Sequence, residues 1–88
     1  MHEREELYIG GKWINPNGEG KIEVFNPTTE EIIGSVPIGN SVDLDLAINS
    51  ARDAFTSWSN SSIDSRIDYL NRLTAAIKEN TEMMAQLI

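Results

Sequence analysis

Before Ser41 the apolar residues fall in short runs with a period near two, and after it they recur every three to four residues. An extended first half followed by a helical second half is the simplest reading of that change. Leu7-Tyr8-Ile9 and Lys12-Trp13-Ile14 flank Gly10-Gly11, whose glycines accept the positive φ of a type I′ turn, so a tight hairpin is predicted there. After the polar loop Asn15-Pro16-Asn17-Gly18-Glu19-Gly20, Lys21 to Phe25 alternates in the manner of a half-buried strand. Its natural partner is Glu31 to Val36, reached through the turn residues Asn26-Pro27-Thr28-Thr29. Pro37 lacks an amide hydrogen and ends that strand's pairing or places it at an edge.

From Ser41 on, Leu44, Ala47, Ile48, Ala51, Ala54, Phe55 and Trp58 fall on a single helical stripe. Asn40 or Ser41 is positioned to cap its start, and Asp43 and Asp45 lie where the helix dipole favours negative charge. Ser59-Asn60-Ser61-Ser62 breaks the pattern. Ser61 with Asp64 then resembles a capping box ahead of a second stripe, Ile63, Ile67, Leu70, Leu73 and Ile77. Thr81 is read as the cap of a third segment through Met83, Met84, Leu87 and Ile88. That segment has no closing glycine or basic last turn, so the polypeptide is expected to continue beyond Ile88. The expected organisation is a flexible arm over 1–6, a β-hairpin region over 7–38 and a helical region over 41–88. Together these make an α+β piece with N-terminal β-hairpins followed by an antiparallel helix pair.

Composition narrows the picture further. With 88 residues, 40% hydrophobic and 24% charged, the chain is one small domain or part of one. A chain of this size buries only about 60–65% of its unfolded surface. It contains no cysteine, so neither disulfides nor thiolate-held zinc can staple it, and neighbouring protein is expected to complete the fold. A net charge of −7 with dispersed basic residues argues against nucleic acid as a partner. No apolar run approaches a signal peptide or the ~20 residues of a membrane span, so a cytoplasmic location is expected, and Asn60-Ser61-Ser62 carries no glycosylation meaning there.

Side chains with chemical potential are few. Asp43 and Asp45 form a D-x-D pair that could ligate a divalent ion, but at a helix start they serve the dipole better. Glu30 and Glu31 are adjacent and would point to opposite faces of a strand, so they read as solvated turn residues rather than an acid/base pair. His2 lies in the polar arm. Gly18-Glu19-Gly20-Lys21 resembles part of a phosphate loop, but Asn15 and Ile22 stand where that loop needs glycine and a hydroxyl residue. No dinucleotide fingerprint is present. Ser57, Ser59, Ser61, Ser62 and Ser65 have no histidine near them in sequence and read as cap and loop residues. Trp13, Phe55 and Trp58 read as core packing, and Arg66 and Arg72 as surface ion-pair partners of Asp64, Asp68 and Glu79.

The order of the segments carries more than any one of them. Leu7-Tyr8-Ile9-Gly10-Gly11-Lys12-Trp13 comes first, followed by Val24-Phe25-Asn26-Pro27-Thr28-Thr29-Glu30-Glu31-Ile32-Ile33-Gly34. Ala51-Arg52-Asp53-Ala54-Phe55-Thr56-Ser57-Trp58 and then Arg66 with Leu70 complete the series. In this order they resemble the amino-terminal region of the aldehyde dehydrogenase superfamily, from about Leu7 to the end. The resemblance implies an α/β enzyme whose amino-terminal hairpins and helices wrap the cofactor-binding domain. It implies oxidation of an aldehyde to a carboxylic acid with NAD or NADP, by a cysteine thiolate, hydride transfer to nicotinamide and a glutamate-activated water. It also implies that the remainder of the chain and a homo-oligomer are the partners. Those reactive groups would lie beyond this segment, so no catalytic, cofactor-binding or metal-ligating residue is assigned here. Some members hold a monovalent cation at positions matching Val24 and Phe25, of which Val24 has no hydroxyl to offer. A stand-alone interaction module or pseudo-enzyme remnant, engaging a partner through exposed apolar faces, is the alternative reading that the same missing staples and incomplete core permit.

Overall fold

The computed structural model describes residues 2–88 and forms two compact units, one running to Phe55 and the other Thr56–Ile88. In the first unit, strands β2 (Leu7–Ile9) and β3 (Lys12–Ile14) pair antiparallel, with Ile9 opposite Lys12. Gly10 and Gly11 make the turn at φ of 62° and 76°, the two positive values that a two-residue hairpin of this hand requires. The ring of Tyr8 meets that of its cross-strand partner Trp13 at 5.0 Å.

A second sheet has the order β1-β5-β4, formed by His2–Glu3, Ile32–Pro37 and Lys21–Phe25. Strands β4 and β5 are the expected antiparallel pair, with a bulge between Val24 and Phe25. Their connection is built by Asn26, whose Oδ1 accepts the Thr28 amide at 2.8 Å and whose carbonyl accepts the Glu30 amide at 2.8 Å. Glu30 takes a positive φ of 61° at its end. Pro37 is the last residue of β5, beyond the reach of β1, where its missing amide hydrogen breaks no ladder bond. The strand β1 is absent from the sequence reading of residues 1–6. Its two residues show no periodicity, and it exists only because β5 offers a free edge for parallel pairing at Gly34 and Ser35.

Helix α1 (Ser41–Ser59) begins in the first unit. The second unit holds α2 (Ile63–Glu79) and α3 (Thr81–Leu87). Two caps differ from expectation. The N-cap of α2 is Ser62, whose hydroxyl accepts the Ser65 amide at 3.1 Å, because Ser61 is engaged elsewhere. Thr81 does not cap α3; its hydroxyl donates back to the Ile77 and Lys78 carbonyls, so it closes α2 instead.

Among the described residues no hydrophobic side chain is buried. Phe55 is 69% exposed, Trp58 49% and Trp13 52%, so the aromatic residues expected to form a core have none to enter in this chain alone. The apolar stripes of α1 and α2 are present as predicted and lie open.

Candidate functional site

The most highly organised cluster of polar groups surrounds Asp43. Asn40 caps α1, its Oδ1 accepting the amides of Val42 at 3.1 Å and Asp43 at 3.2 Å. Asp43, three residues on, returns the bond: Oδ2 accepts the Asn40 amide at 3.0 Å, completing a capping box with aspartate in the glutamate position. The same carboxylate also accepts the amides of Asn17 at 2.8 Å and Gly18 at 2.9 Å, residues that precede it by 26 and 25 positions. Asp43 is only 5% exposed. The Asn17 amide, then those of Asn40 and Gly18, hold its carboxyl below the usual aspartate range, and burial opposes them without reversing the shift. Gly18 fits because a Cβ there would run into the Ile38 carbonyl. Beside this knot a groove of about 570 Å³ is lined by Leu7, Tyr8, Gly39, Asn40, Leu44 and Ala47, with no basic residue among its walls.

The other built cluster is cationic. Arg66 donates from Nη2 to the Trp58 carbonyl at 3.0 Å and from Nε to the Ser61 hydroxyl at 2.9 Å, with its guanidinium 5.2 Å from the Trp58 ring. Ser61 in turn donates to the Trp58 carbonyl at 2.6 Å. With the Ser61 amide at 3.0 Å, this last-turn carbonyl of α1 receives three donors, one of them charged, where the helix dipole favours positive charge. Trp58 also meets the Tyr69 ring at 5.6 Å.

Both clusters hold backbone in place, and comparison with known proteins shows which fold they serve. The description "Aldehyde dehydrogenase family" matches residues 13–88. The chain belongs to the aldehyde dehydrogenase family. It is 38% identical over 88 residues to a 3-succinoylsemialdehyde-pyridine dehydrogenase of Pseudomonas sp, covering all of this chain and 18% of that protein. It is 40% identical over 83 residues to the human mitochondrial methylmalonate-semialdehyde/malonate-semialdehyde dehydrogenase [acylating], covering 94% of this chain and 16% of that one. The crystal structure of a Mycobacterium tuberculosis aldehyde dehydrogenase complexed with NAD+ superposes with a TM-score of 0.87 at 32% identity, over 98% of this chain and 18% of that one. A Bartonella henselae aldehyde dehydrogenase does so with the same score at 29% identity. The chain therefore spans 16–18% of the length of the curated relatives it matches.

Within this aldehyde dehydrogenase segment, of the residues singled out from the sequence, Arg66, Ser61 and Trp58 meet at the end of α1 and Arg72 meets Asp68, whereas Asp43 and Asp45 do not act together. Asp43 is committed to three amides while Asp45 is exposed, and no group of three or more metal-ligating residues forms among the described residues. Glu30 and Glu31 are exposed turn residues, as read. Gly18 gives its amide to Asp43, so the glycine-rich loop holds a carboxylate of its own chain in the place where a phosphate loop would hold a ligand. Arg72 pairs with Asp68 at 2.9 Å as expected. Arg66 does not pair with Asp64; its neighbours are a carbonyl, a hydroxyl and an indole. Asn17 and Gly18 were not legible as partners of Asp43. The only sequence signal was an unexplained Asn-Gly loop facing a helix start.

Proposed function

We propose that this chain is the amino-terminal scaffold of an NAD(P)-dependent aldehyde dehydrogenase that oxidises an aldehyde to a carboxylic acid. In this reading its hairpin region (7–38) and helical region (41–88) belong to the cofactor-binding domain. The segment itself carries no catalytic, cofactor-binding or metal-ligating residue. The observation that supports this most is the pairing of a family match over residues 13–88 with a surface on which no described hydrophobic side chain is buried. Covering the open half of Ile67, Leu70, Leu73 and Ile77 contributes on the order of 1 kcal/mol per residue, so the stability of this piece resides in the protein it rests against.

At the start of α1 the groups that a dinucleotide phosphate would seek are already engaged. The first amides of α1 are taken by Asn40, those of Asn17 and Gly18 are taken by Asp43, and the adjoining groove has no cation to meet a pyrophosphate. This reading assigns the nicotinamide cofactor and the cysteine that the reaction needs to other parts of the enzyme; this chain contains no cysteine. What these residues do is fix the loop, the hairpin and the helix start as one support.

We also propose a cytoplasmic homo-oligomer that engages neither nucleic acid nor membrane. A net charge of −7 and the absence, among the described residues, of any helix long and apolar enough to cross a membrane support the last two points. The test is expression of the full-length gene product and an assay of aldehyde-dependent NADH or NADPH formation. Activity is expected from the full-length protein and none from residues 1–88 alone, which should self-associate in sedimentation. A full-length product with no such activity, or a compact, stable monomer of the 88-residue piece at high concentration, overturns the reading.

A further inference from the structure

On one face of the three-stranded sheet, the middle strand carries Ser35 with Glu3 opposite it on β1 and Glu23 opposite it on β4. Cross-strand partners in register project their side chains to the same side, so the Cβ of Ser35 lies between those of Glu3 and Glu23, roughly 5 Å away on either side. Ser35 is 9% exposed, and its Oγ has no hydrogen-bond partner. Glu3 and Glu23 form no ion pair with any described residue, and Lys21, which closes one end of the same hollow, is turned to Glu5 at 3.6 Å. Phe25 and Ile32 form the other end of the hollow, which measures about 580 Å³.

Two carboxylates, an unsatisfied hydroxyl and an aromatic wall are the complement of a planar cation. Guanidinium has donors on two edges that can meet a carboxylate on each side, a further N–H for a central oxygen, and a weakly hydrated face that rests on an aromatic ring. An ammonium would present a single point of charge and leave the aromatic wall unused. We propose that the hollow over Ser35 is a docking site for an arginine side chain contributed by the part of the polypeptide beyond these 88 residues. The 16–18% of its relatives' length that this chain spans leaves most of such a protein to supply it, so the proposal rests on the scaffold reading above.

The experiment is a crystal structure of the full-length protein together with thermal unfolding of Glu3→Gln, Glu23→Gln and Ser35→Ala, with Glu19→Gln as an exposed control. A guanidinium within hydrogen-bonding distance of both carboxylates is expected. With it, Tm should fall by about 2 °C or more for each glutamine variant and hardly at all for the control. Replacing the arginine found there with alanine should abolish the further effect of Glu23→Gln. A hollow open to solvent, one filled by apolar or acidic groups or by a metal ion, or glutamine variants that melt with the wild type would overturn the proposal. Aldehyde oxidation measured on the same preparations separates the two readings. Activity without an arginine over Ser35 defeats this inference alone, and an arginine there without activity defeats the enzyme reading alone.

Discussion

Helix α1 is held at each end by a charge of the sign its dipole favours, yet the two ends are built differently. At the amino end Asp43 is 5% exposed, and its carboxylate gathers amides from a loop more than 20 residues away. At the carboxyl end Arg66 lies on an exposed face and draws only on Trp58 and Ser61, within eight residues. The first organises tertiary structure; the second shapes a local turn. The difference shows that sign alone does not set the worth of a helix-end charge. A carboxylate withdrawn from water leaves several donors stranded when removed, whereas a solvated guanidinium leaves carbonyls that water can satisfy.

Substitutions sharpen that contrast when made in the full-length protein. Asp43→Ala should give the largest loss of Tm of the set, several degrees, since three amides lose their acceptor at once. Asp43→Asn should recover only part of it, for lack of charge. The depressed carboxyl of Asp43 gives this end a pH signature as well. Its contribution is complete above the ordinary aspartate value of 3.8 and is lost as pH falls through the lower folded value, so Tm of the wild type should drop in acid more steeply than that of Asp43→Asn. Gly18→Ala, which forces a methyl onto the Ile38 carbonyl, should cost about 1–3 kcal/mol.

Effects at the other end should be smaller. Arg66→Ala should cost about 1 kcal/mol through the lost carbonyl bond and indole contact, and Arg66→Lys should restore little of it because the fork geometry is gone. Arg72→Ala, which removes an exposed pair with Asp68 at one helical turn's spacing, should cost less than about 0.5 kcal/mol. If Arg66→Ala proved as damaging as Asp43→Ala in thermal unfolding, the distinction between a buried and a solvated helix end would fail here.

What was legible in the sequence was what local chemistry decides. Gly10-Gly11 admits essentially one turn, Asn26-Pro27-Thr28-Thr29 one reversal, and the stripe from Leu44 to Trp58 one helix, and all appear where expected. Less legible was whatever depends on a distant partner. The pairing of β1 needs β5, the burial of Asp43 needs Asn17 and Gly18, and the choice of Ser62 over Ser61 as a cap depends on Arg66 claiming the latter. The aromatic residues were misread for a related reason. Periodicity identifies an apolar face but not what covers it, and no described residue buries these side chains.

Each compact unit contains one of the two tryptophans, Trp13 beside Tyr8 and Arg4 in the first, Trp58 beside Tyr69 and Arg66 in the second. The segment therefore carries a separate built-in fluorophore for each half. Changing either indole to phenylalanine isolates the emission of the other, so the loosening of one half can be timed against that of its neighbour without any attached dye.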